Sequence, residues 1–253
     1  MIGAGPWEDL RYQVLSKQLV TPVVAELRLY PCTESMSYQA GQYALLCDAS
    51  HAMPQRSYSI ANTPRSDGLV SMLVTRVPNG ATSGWVHDRL QPGEDVALSG
   101  PYGTFLIDPA APTPLLLLAG GSGLAPARAL AEAALSAQPG RSVTLFVSAR
   151  TAADVISRDW FERWSGAYAG FRYLLTLTRD TAAPLHGRVP TLLPDLFSQL
   201  DDHEIFVSGA PGFVTACAEA VRTLGAKATK VHTEPFFVEP QPWLGRPPEH
   251  SPV

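Results

Sequence analysis

Cysteine is scarce in this chain: Cys32, Cys47 and Cys217 are the only three among 253 residues. They are too few and too scattered for a disulfide framework, and an iron–sulfur cluster needs four closely grouped thiolates. Any iron–sulfur centre the protein works with is therefore expected on another polypeptide. Charge is sparse as well. Lys and Arg number 19 against 23 Asp and Glu, the net charge is -4, and the 17% of charged residues form no basic block. That distribution argues against nucleic acid or an anionic membrane as the main partner. The apolar run Leu115 to Ala119 has five residues, far short of the roughly 20 a membrane-spanning helix needs. Met1 to Leu10 carries Glu8 and Asp9 with no apolar run, so neither a secretory signal nor an anchor is expected, and a cytoplasmic location is. No internal repeat is visible.

What the chain has instead is glycine and proline at telling places. Leu115 to Ala119 runs into Gly120-Gly121-Ser122-Gly123 and then into the Ala- and Leu-rich segment from Leu124, which has helical period. This predicts a buried strand, a tight turn and a helix. Glycines permit positive φ and close backbone approach, and the free N–H groups of the helix start form an anion site that suits a phosphate. The spacing Gly-Gly-Ser-Gly-x-Ala-Pro is not the Gly-x-Gly-x-x-Gly dinucleotide fingerprint, and a plain structural turn accounts for it equally when it is taken alone.

With 253 residues the chain can hold one large or two modest domains. The first part reads as short β-prone runs at Tyr12 to Leu15, Val23 to Tyr30, Gln42 to Cys47, Ser57 to Ala61, Leu69 to Val77 and Asp95 to Ser99, separated by turn signals. Six closely spaced strands predict a small antiparallel barrel with one short helix, Ser83 to Leu90. After the proline-rich joint Asp108 to Pro114 the rhythm changes. Strands at Leu115 to Ala119, Ser142 to Ser148, Arg172 to Leu177, Glu204 to Ser208 and Lys230 to Thr233 alternate with helices near Leu124 to Ala137, Asp159 to Ser165, Pro190 to Phe197 and Gly212 to Gly225. The expectation is two domains, a barrel over 1–107 and a doubly wound parallel α/β sheet over 114–237, followed by a tail over 238–253. That tail holds five prolines and Trp243. Its expected role is to fold back over the cofactor region. Ligands bind at the carboxyl ends of such strands, so Gly120 to Gly123, Ser148 to Arg150, Thr178-Arg179 and Ser208 to Pro211 are expected to share one site.

Two constellations in the barrel half bear on ligands. In Arg56-Ser57-Tyr58-Ser59, strand alternation puts the cation Arg56 and the ring of Tyr58 on one face and turns Ser59 away. Gly80-Ala81-Thr82-Ser83 opens the short helix, with Ser83 or Thr82 as candidate N-cap and N–H groups free for a phosphate. Read alone, an exposed strand explains the first equally well, and an ordinary capped helix after the Asn79-Gly80 turn explains the second better.

Read in order, these segments together with Gly100-Pro101-Tyr102-Gly103-Thr104-Phe105, Gly120 to Pro126, Ser208-Gly209-Ala210-Pro211 and Glu234-Pro235-Phe236 resemble the ferredoxin–NADP reductase superfamily over about Tyr12 to Phe237. The resemblance implies an FAD-dependent NAD(P)H oxidoreductase with FAD in the barrel. Arg56 would hold the flavin pyrophosphate, Tyr58 would stack on the isoalloxazine and Ser59 would bond to its N5. Ser57 and Gly80, Ala81, Thr82 and Ser83 would complete the flavin site, and Leu73, Val74 and Thr75 would run along the flavin edge. Gly121, Ser122 and Gly123 would receive the dinucleotide, with Ser122 between the two cofactors. The resemblance assigns Tyr58, Ser59, Ser208 and Glu234 to the catalytic centre and Gly209 and Phe236 to cofactor binding. Arg150 and Arg179 match positions that read the 2'-phosphate of NADPH, while an Arg at the first position also occurs in users of NADH. Two departures stand out: the family usually has Cys-Gly-Pro-Pro where this chain has Ser208-Gly209-Ala210-Pro211, and the tail beyond Phe237 is longer than in many relatives.

The implied activity is hydride transfer from NADPH or NADH to FAD, then release of single electrons to a ferredoxin or an iron–sulfur oxygenase component. Two other readings stay open at this point, an NAD(P)H:flavin reductase and a flavin-binding subunit without catalysis.

Overall fold

The structure, a computed structural model, describes residues 6–237. The tail over 238–253, and with it the expectation about Trp243, lies outside the described residues.

Seven elements build the first half: β1 (Trp7–Thr21), β2 (Val24–Pro31), β3 (Tyr43–Asp48), β4 (Arg56–Ser59), β5 (Val70–Thr75), α1 (Ala81–Asp88) and β6 (Asp95–Tyr102). The strands form one antiparallel sheet in the order β4-β3-β6-β1-β2-β5. A bridge between Ile60 and Met72 draws the two edge strands together, so the sheet curls into a nearly closed barrel. Its interior is filled by Tyr12, Val14, Leu27, Leu29, Leu46, Ile60, Met72 and Leu98, the inward half of a period-2 pattern. β1 is far longer than the expected Tyr12 to Leu15. Irregularities between Val14 and Ser16 and between Leu19 and Thr21 break the alternation and bend the strand, which hides its continuation from pattern reading.

The second half alternates β7 (Leu115–Gly120), α2 (Leu124–Ala137), β8 (Val143–Ala149), α3 (Arg158–Ala167), β9 (Phe171–Leu177), α4 (Val189–Leu196), β10 (Glu204–Gly209), α5 (Pro211–Thr223) and β11 (Val231–Pro235). All five strands are parallel, in the order β11-β10-β7-β8-β9. Leu117 and Leu145 point to the face covered by α2 and α3, with Leu130 and Phe161. Leu116, Leu118 and Phe146 point to the face covered by α4 and α5, with Leu193 and Cys217. The strand order reverses at β7, whose neighbours are β8 on one side and β10 on the other. Such a reversal opens a crevice at the carboxyl ends of the strands.

Helix α2 lies between the two sheets. Ala61, Leu73 and Phe105 of the barrel half share one apolar cluster with Leu124, Ala127 and Leu130 of α2. The proline-rich joint is pinned by Arg141, 3% exposed, whose Nε donates to Thr113 O at 2.9 Å and whose Nη1 donates to Asp108 O at 3.0 Å. Among the described residues no helix is long and apolar enough to cross a membrane.

Candidate functional site

A cavity of about 370 Å³ opens where the barrel meets the carboxyl ends of the parallel strands, within the range of roughly 300–1,000 Å³ common for small-molecule sites. Arg56 to Ser59, Leu73, Thr75, Val77 and Gly80 to Ser83 wall it from the barrel side; Ser122, Ala125 and Glu234 to Phe237 wall it from the other.

β4 supplies three of these groups. The Arg56 guanidinium donates to the Gln55 carbonyl at 2.8 Å and, among the described residues, pairs with no carboxylate. Burial pushes the Tyr58 phenol up to about 12, against the pull of Arg56 in the other direction. Alternation alone turns Ser59 away from Tyr58, and here the structure corrects the expectation. Ser59 is the last β4 residue paired with β3, through Tyr43, and the chain then bends to the Ile60–Met72 bridge. That bend leaves Ser59 on the same cavity as Arg56 and Tyr58. Its hydroxyl donates to Glu234 Oε2 at 3.3 Å. Glu234, at the end of β11, is half-buried; burial pushes its carboxyl up to about 7, and the Ser59 bond offsets this only in part.

α1 begins at Ala81, two residues before the expected start, and its N-cap is Gly80 with no side-chain cap. Neither Ser83 nor Thr82 caps the helix. Thr82 donates to Pro54 O at 2.5 Å, and Ser83 Oγ accepts from Val77 N at 3.1 Å. A side chain at Gly80 would have to push neighbours aside, because its Cβ would stand 2.6 Å from Ser83 Oγ and 2.9 Å from Val77 Cβ. The first-turn residues Ala81, Thr82 and Ser83 line the cavity, so an uncapped, electropositive helix start borders it.

Besides the Ser59–Glu234 bond, a hydroxyl pair couples the parallel-sheet half to this wall: Thr75 Oγ1 donates to Ser122 Oγ at 2.8 Å. Leu73 also faces the cavity. Val74 does not; it is buried in the barrel interior, with its carbonyl on His87 Nε2 at 2.9 Å. In the Gly-rich turn, Gly121 is left-handed at φ +57° with open space around it, whereas a Cβ at Gly123 would stand 2.6 Å from Gly209 N and collide with the Ser208 carbonyl. Ser208 is fully buried and donates to Gly123 O at 2.7 Å. Its hydroxyl thus ties β10 to the turn and does not face the cavity. Gly209 accepts from Phe236 N at 2.7 Å, which places Phe236 on the cavity wall.

Arg150 and Arg179 lie together on neighbouring loops, Arg179 N donating to Arg150 O at 2.8 Å, outside the cavity lining. Arg150 is engaged: Nη2 meets Asp154 Oδ1 at 2.6 Å. Burial opposes ionisation of Asp154, but its bonds from Arg150 and Thr151 outweigh that and hold the carboxyl below its ordinary value. This partner went unnoticed in the sequence, although a spacing of four from Arg150 is a legible pairing signal.

The chain's first half, residues 12–107, matches the oxidoreductase FAD-binding domain, and residues 117–219 match the oxidoreductase NAD-binding domain. It is 30% identical over 233 residues to the terephthalate 1,2-dioxygenase reductase component 2 of Comamonas sp., covering 90% of this chain and 68% of the relative. It is 30% identical over 247 residues to ferredoxin–NADP reductase B of Sorangium cellulosum, covering 93% of this chain and 100% of the relative. The chain belongs to the ferredoxin–NADP reductase superfamily. The crystal structure of the Amycolatopsis cytochrome P450 reductase GcoB superposes with a TM-score of 0.85 at 29% identity, covering 91% of this chain and 70% of that one. This reductase is an FAD-dependent NAD(P)H oxidoreductase. Its cavity fits the flavin on its own chemistry: a guanidinium with no carboxylate partner among the described residues and an uncapped helix start suit phosphates, and the wall of Tyr58, Leu73, Val77 and Phe236 suits a planar ring.

Proposed function

We propose that this reductase takes an electron pair from NADH or NADPH and passes single electrons to a separate iron–sulfur protein, a ferredoxin or the iron–sulfur component of an oxygenase. One observation carries the reading: the flavin-type wall of the barrel and the Gly-rich turn of the parallel sheet open on one cavity and are bonded across it through Thr75 and Ser122. The acceptor class is supported by relatives named as a dioxygenase reductase component and as a ferredoxin–NADP reductase. The chain divides in this reading into an FAD unit over 1–107, a nucleotide unit over 114–237 and a tail over 238–253. A consumer of reduced nicotinamide works in the cytoplasm, where its three free cysteines stay reduced.

Within the cavity Arg56 and the start of α1 bind the flavin phosphates, with Gly80, Ala81, Thr82 and Ser83 forming the cradle and Ser57 at its edge. Tyr58 packs against the ring, and Leu73, Val74 and Thr75 form the strand beside it. When bound, FAD supplies the chemistry that links two-electron nicotinamide to one-electron acceptors. Gly121, Ser122 and Gly123 receive the nucleotide pyrophosphate. Ser208, through its bond to Gly123, and Gly209, through its carbonyl on Phe236 N, would hold the backbone that meets the nicotinamide, and Phe236 would shield it from water. Ser59 and Glu234 hold a proton at the reacting face. Anaerobic mixing with NADH or NADPH tests the assignment: oxidised flavin absorbance disappears, and the same flavin stays with the protein on desalting.

The Glu234 carboxyl, pushed up to about 7, is neutral below that pH and ionised above it. An ionised carboxylate opposes the arrival of an electron pair nearby by about 1 kcal/mol, roughly a five-fold effect. The expected result is flavin reduction that slows as pH rises through about 7, with Glu234→Gln flattening the profile. An identical profile in Glu234→Gln would assign the titration elsewhere.

Nucleotide preference depends on the loop arginines. Asp154 already neutralises Arg150, while exposed Arg179 forms no ion pair among the described residues and supplies a cation for a 2'-phosphate. Asp154→Asn keeps a capping oxygen for Thr151 and releases Arg150. The ratio of kcat/KM for NADPH over NADH should rise about ten-fold, on the order of 1.4 kcal/mol; equal changes for both nucleotides would move the 2'-phosphate away from this loop.

A further inference from the structure

Arg128 is the bulkiest fully buried side chain among the described residues, 1% exposed, and no step of the proposed reaction uses it. It lies on α2 one turn beyond Leu124, so the same helix that carries the Gly-rich turn at its start carries Arg128. Its Nε donates to Ala61 O at 2.6 Å, and its Nη2 pairs with Glu26 Oε1 on β2 at 2.7 Å. Its guanidinium carbon sits 4.8 Å from the ring centroid of Trp160 in the first turn of α3, and Nη1 has no partner among the described residues. One helical turn further on, Glu132 Oε2 accepts from Thr63 N at 2.9 Å.

α2 therefore holds both a carbonyl and an amide of the short segment Ala61 to Thr63. That segment is rigid in the barrel because Asn62 between them donates to Tyr38 Oη at 2.9 Å and Leu69 O at 3.0 Å and accepts from Ser71 N at 2.7 Å. It also continues directly from Arg56, Tyr58 and Ser59. The surrounding face of α2 is Ala127, Leu130, Ala131 and Ala134, and an apolar side chain at 128 would bury as well with no desolvation cost. Apolar faces slide over one another. Two directional bonds to a fixed peptide segment set a register.

We propose that Arg128 and Glu132 are positioning residues for electron transfer between the nucleotide and the flavin: they latch α2 to the Ala61–Thr63 segment and so fix the Gly-rich turn against the flavin strand. The proposal rests on the assignment of the cavity to FAD and nucleotide given above. Reacting atoms displaced by about 1 Å lose on the order of 100-fold in rate, so a loosened latch slows the transfer while each cofactor still binds.

The test uses the full chain loaded with FAD, as Arg128→Met, Arg128→Lys, Glu132→Ala and the milder Glu26→Gln. In Arg128→Met the limiting rate of flavin reduction should fall between about 10- and 100-fold, with flavin occupancy and nucleotide Kd within two-fold of the parent. Glu132→Ala and Glu26→Gln should show smaller falls in the same direction. Amide hydrogen exchange at Thr63, followed without any turnover, should accelerate at least ten-fold in Arg128→Met and Glu132→Ala. Limiting rates at parental values in Arg128→Met and Glu132→Ala, with or without a lower Tm or faster Thr63 exchange, would reduce Arg128 to ordinary packing and overturn the proposal. If Arg128→Met does not fold, parental limiting rates in Glu132→Ala and Glu26→Gln overturn it equally. A parent protein whose flavin is not reduced at all would instead defeat the functional reading, and Thr63 exchange would still decide the latch.

Discussion

Arg56→Ala will emerge from gel filtration with most of its flavin gone. Among the described residues the Arg56 side chain makes one hydrogen bond, to the Gln55 carbonyl, and pairs with no carboxylate, so its charge is available to a phosphate. A charge-assisted contact of this kind contributes about 1.5 to 3 kcal/mol, and its loss raises the FAD Kd roughly 10- to 150-fold. Because Tyr58, Ser59 and Glu234 remain in place, variant protein saturated with added FAD should be reduced by nicotinamide within a few-fold of the parental rate. Arg56→Lys should retain an intermediate fraction, since a point charge replaces a fork. Full flavin occupancy in Arg56→Ala would remove Arg56 from the phosphate site.

Two glycines in one turn should respond to alanine in opposite proportion. Gly121 is left-handed at φ +57°, with nothing within 4 Å of an added Cβ. Gly121→Ala costs backbone strain alone, about 1–2 kcal/mol. Gly123 has φ -59° and ψ -13°, a conformation alanine adopts freely, yet its Cβ would stand 2.6 Å from Gly209 N and collide with the Ser208 carbonyl. Both neighbours are backbone of β10, an interior strand of the sheet, and cannot swing aside. To admit the methyl group, α2 must move off β10, breaking the Ser208 bond to Gly123 O and disturbing the turn beneath the nucleotide. Gly123→Ala should lose about 3 kcal/mol or more of stability in urea unfolding and weaken nucleotide binding at least ten-fold. Losses in Gly121→Ala equal to or above those in Gly123→Ala would contradict the close approach of the two loops.

The strand, turn and helix from Leu115 to Ala137 were legible because apolar content, glycine and helical period change in sequence there, with little tertiary influence needed. β4 was legible in place but not in facing: alternation describes a strand while it stays paired, and Ser59 sits where the pairing ends and the chain bends. The start of α1 was misplaced because Thr82 and Ser83 have the chemistry of caps, while their hydroxyls are engaged by Pro54 and Val77, partners that only the folded barrel brings near. Ser208 read as a group facing the nicotinamide, since its hydroxyl bond to Gly123, 85 positions away, depends on the β7–β10 neighbourhood. Arg128 was the least visible. On a helix of alanines and leucines a single arginine reads as a solvent-facing charge, and its partner Glu26 lies 102 positions earlier.

In the proposed reaction one cavity, shared by barrel and sheet, brings a bound flavin and a nicotinamide nucleotide together to reduce an iron–sulfur acceptor. Its most direct measurement is an anaerobic titration of the flavin-loaded protein with NADH and with NADPH, followed by addition of an oxidised ferredoxin. One equivalent of nucleotide should bleach one bound flavin, and two equivalents of a one-electron ferredoxin should restore its oxidised spectrum while the flavin stays on the protein. Flavin that remains oxidised under excess of both nucleotides, or that leaves the protein as it is reduced, would contradict it.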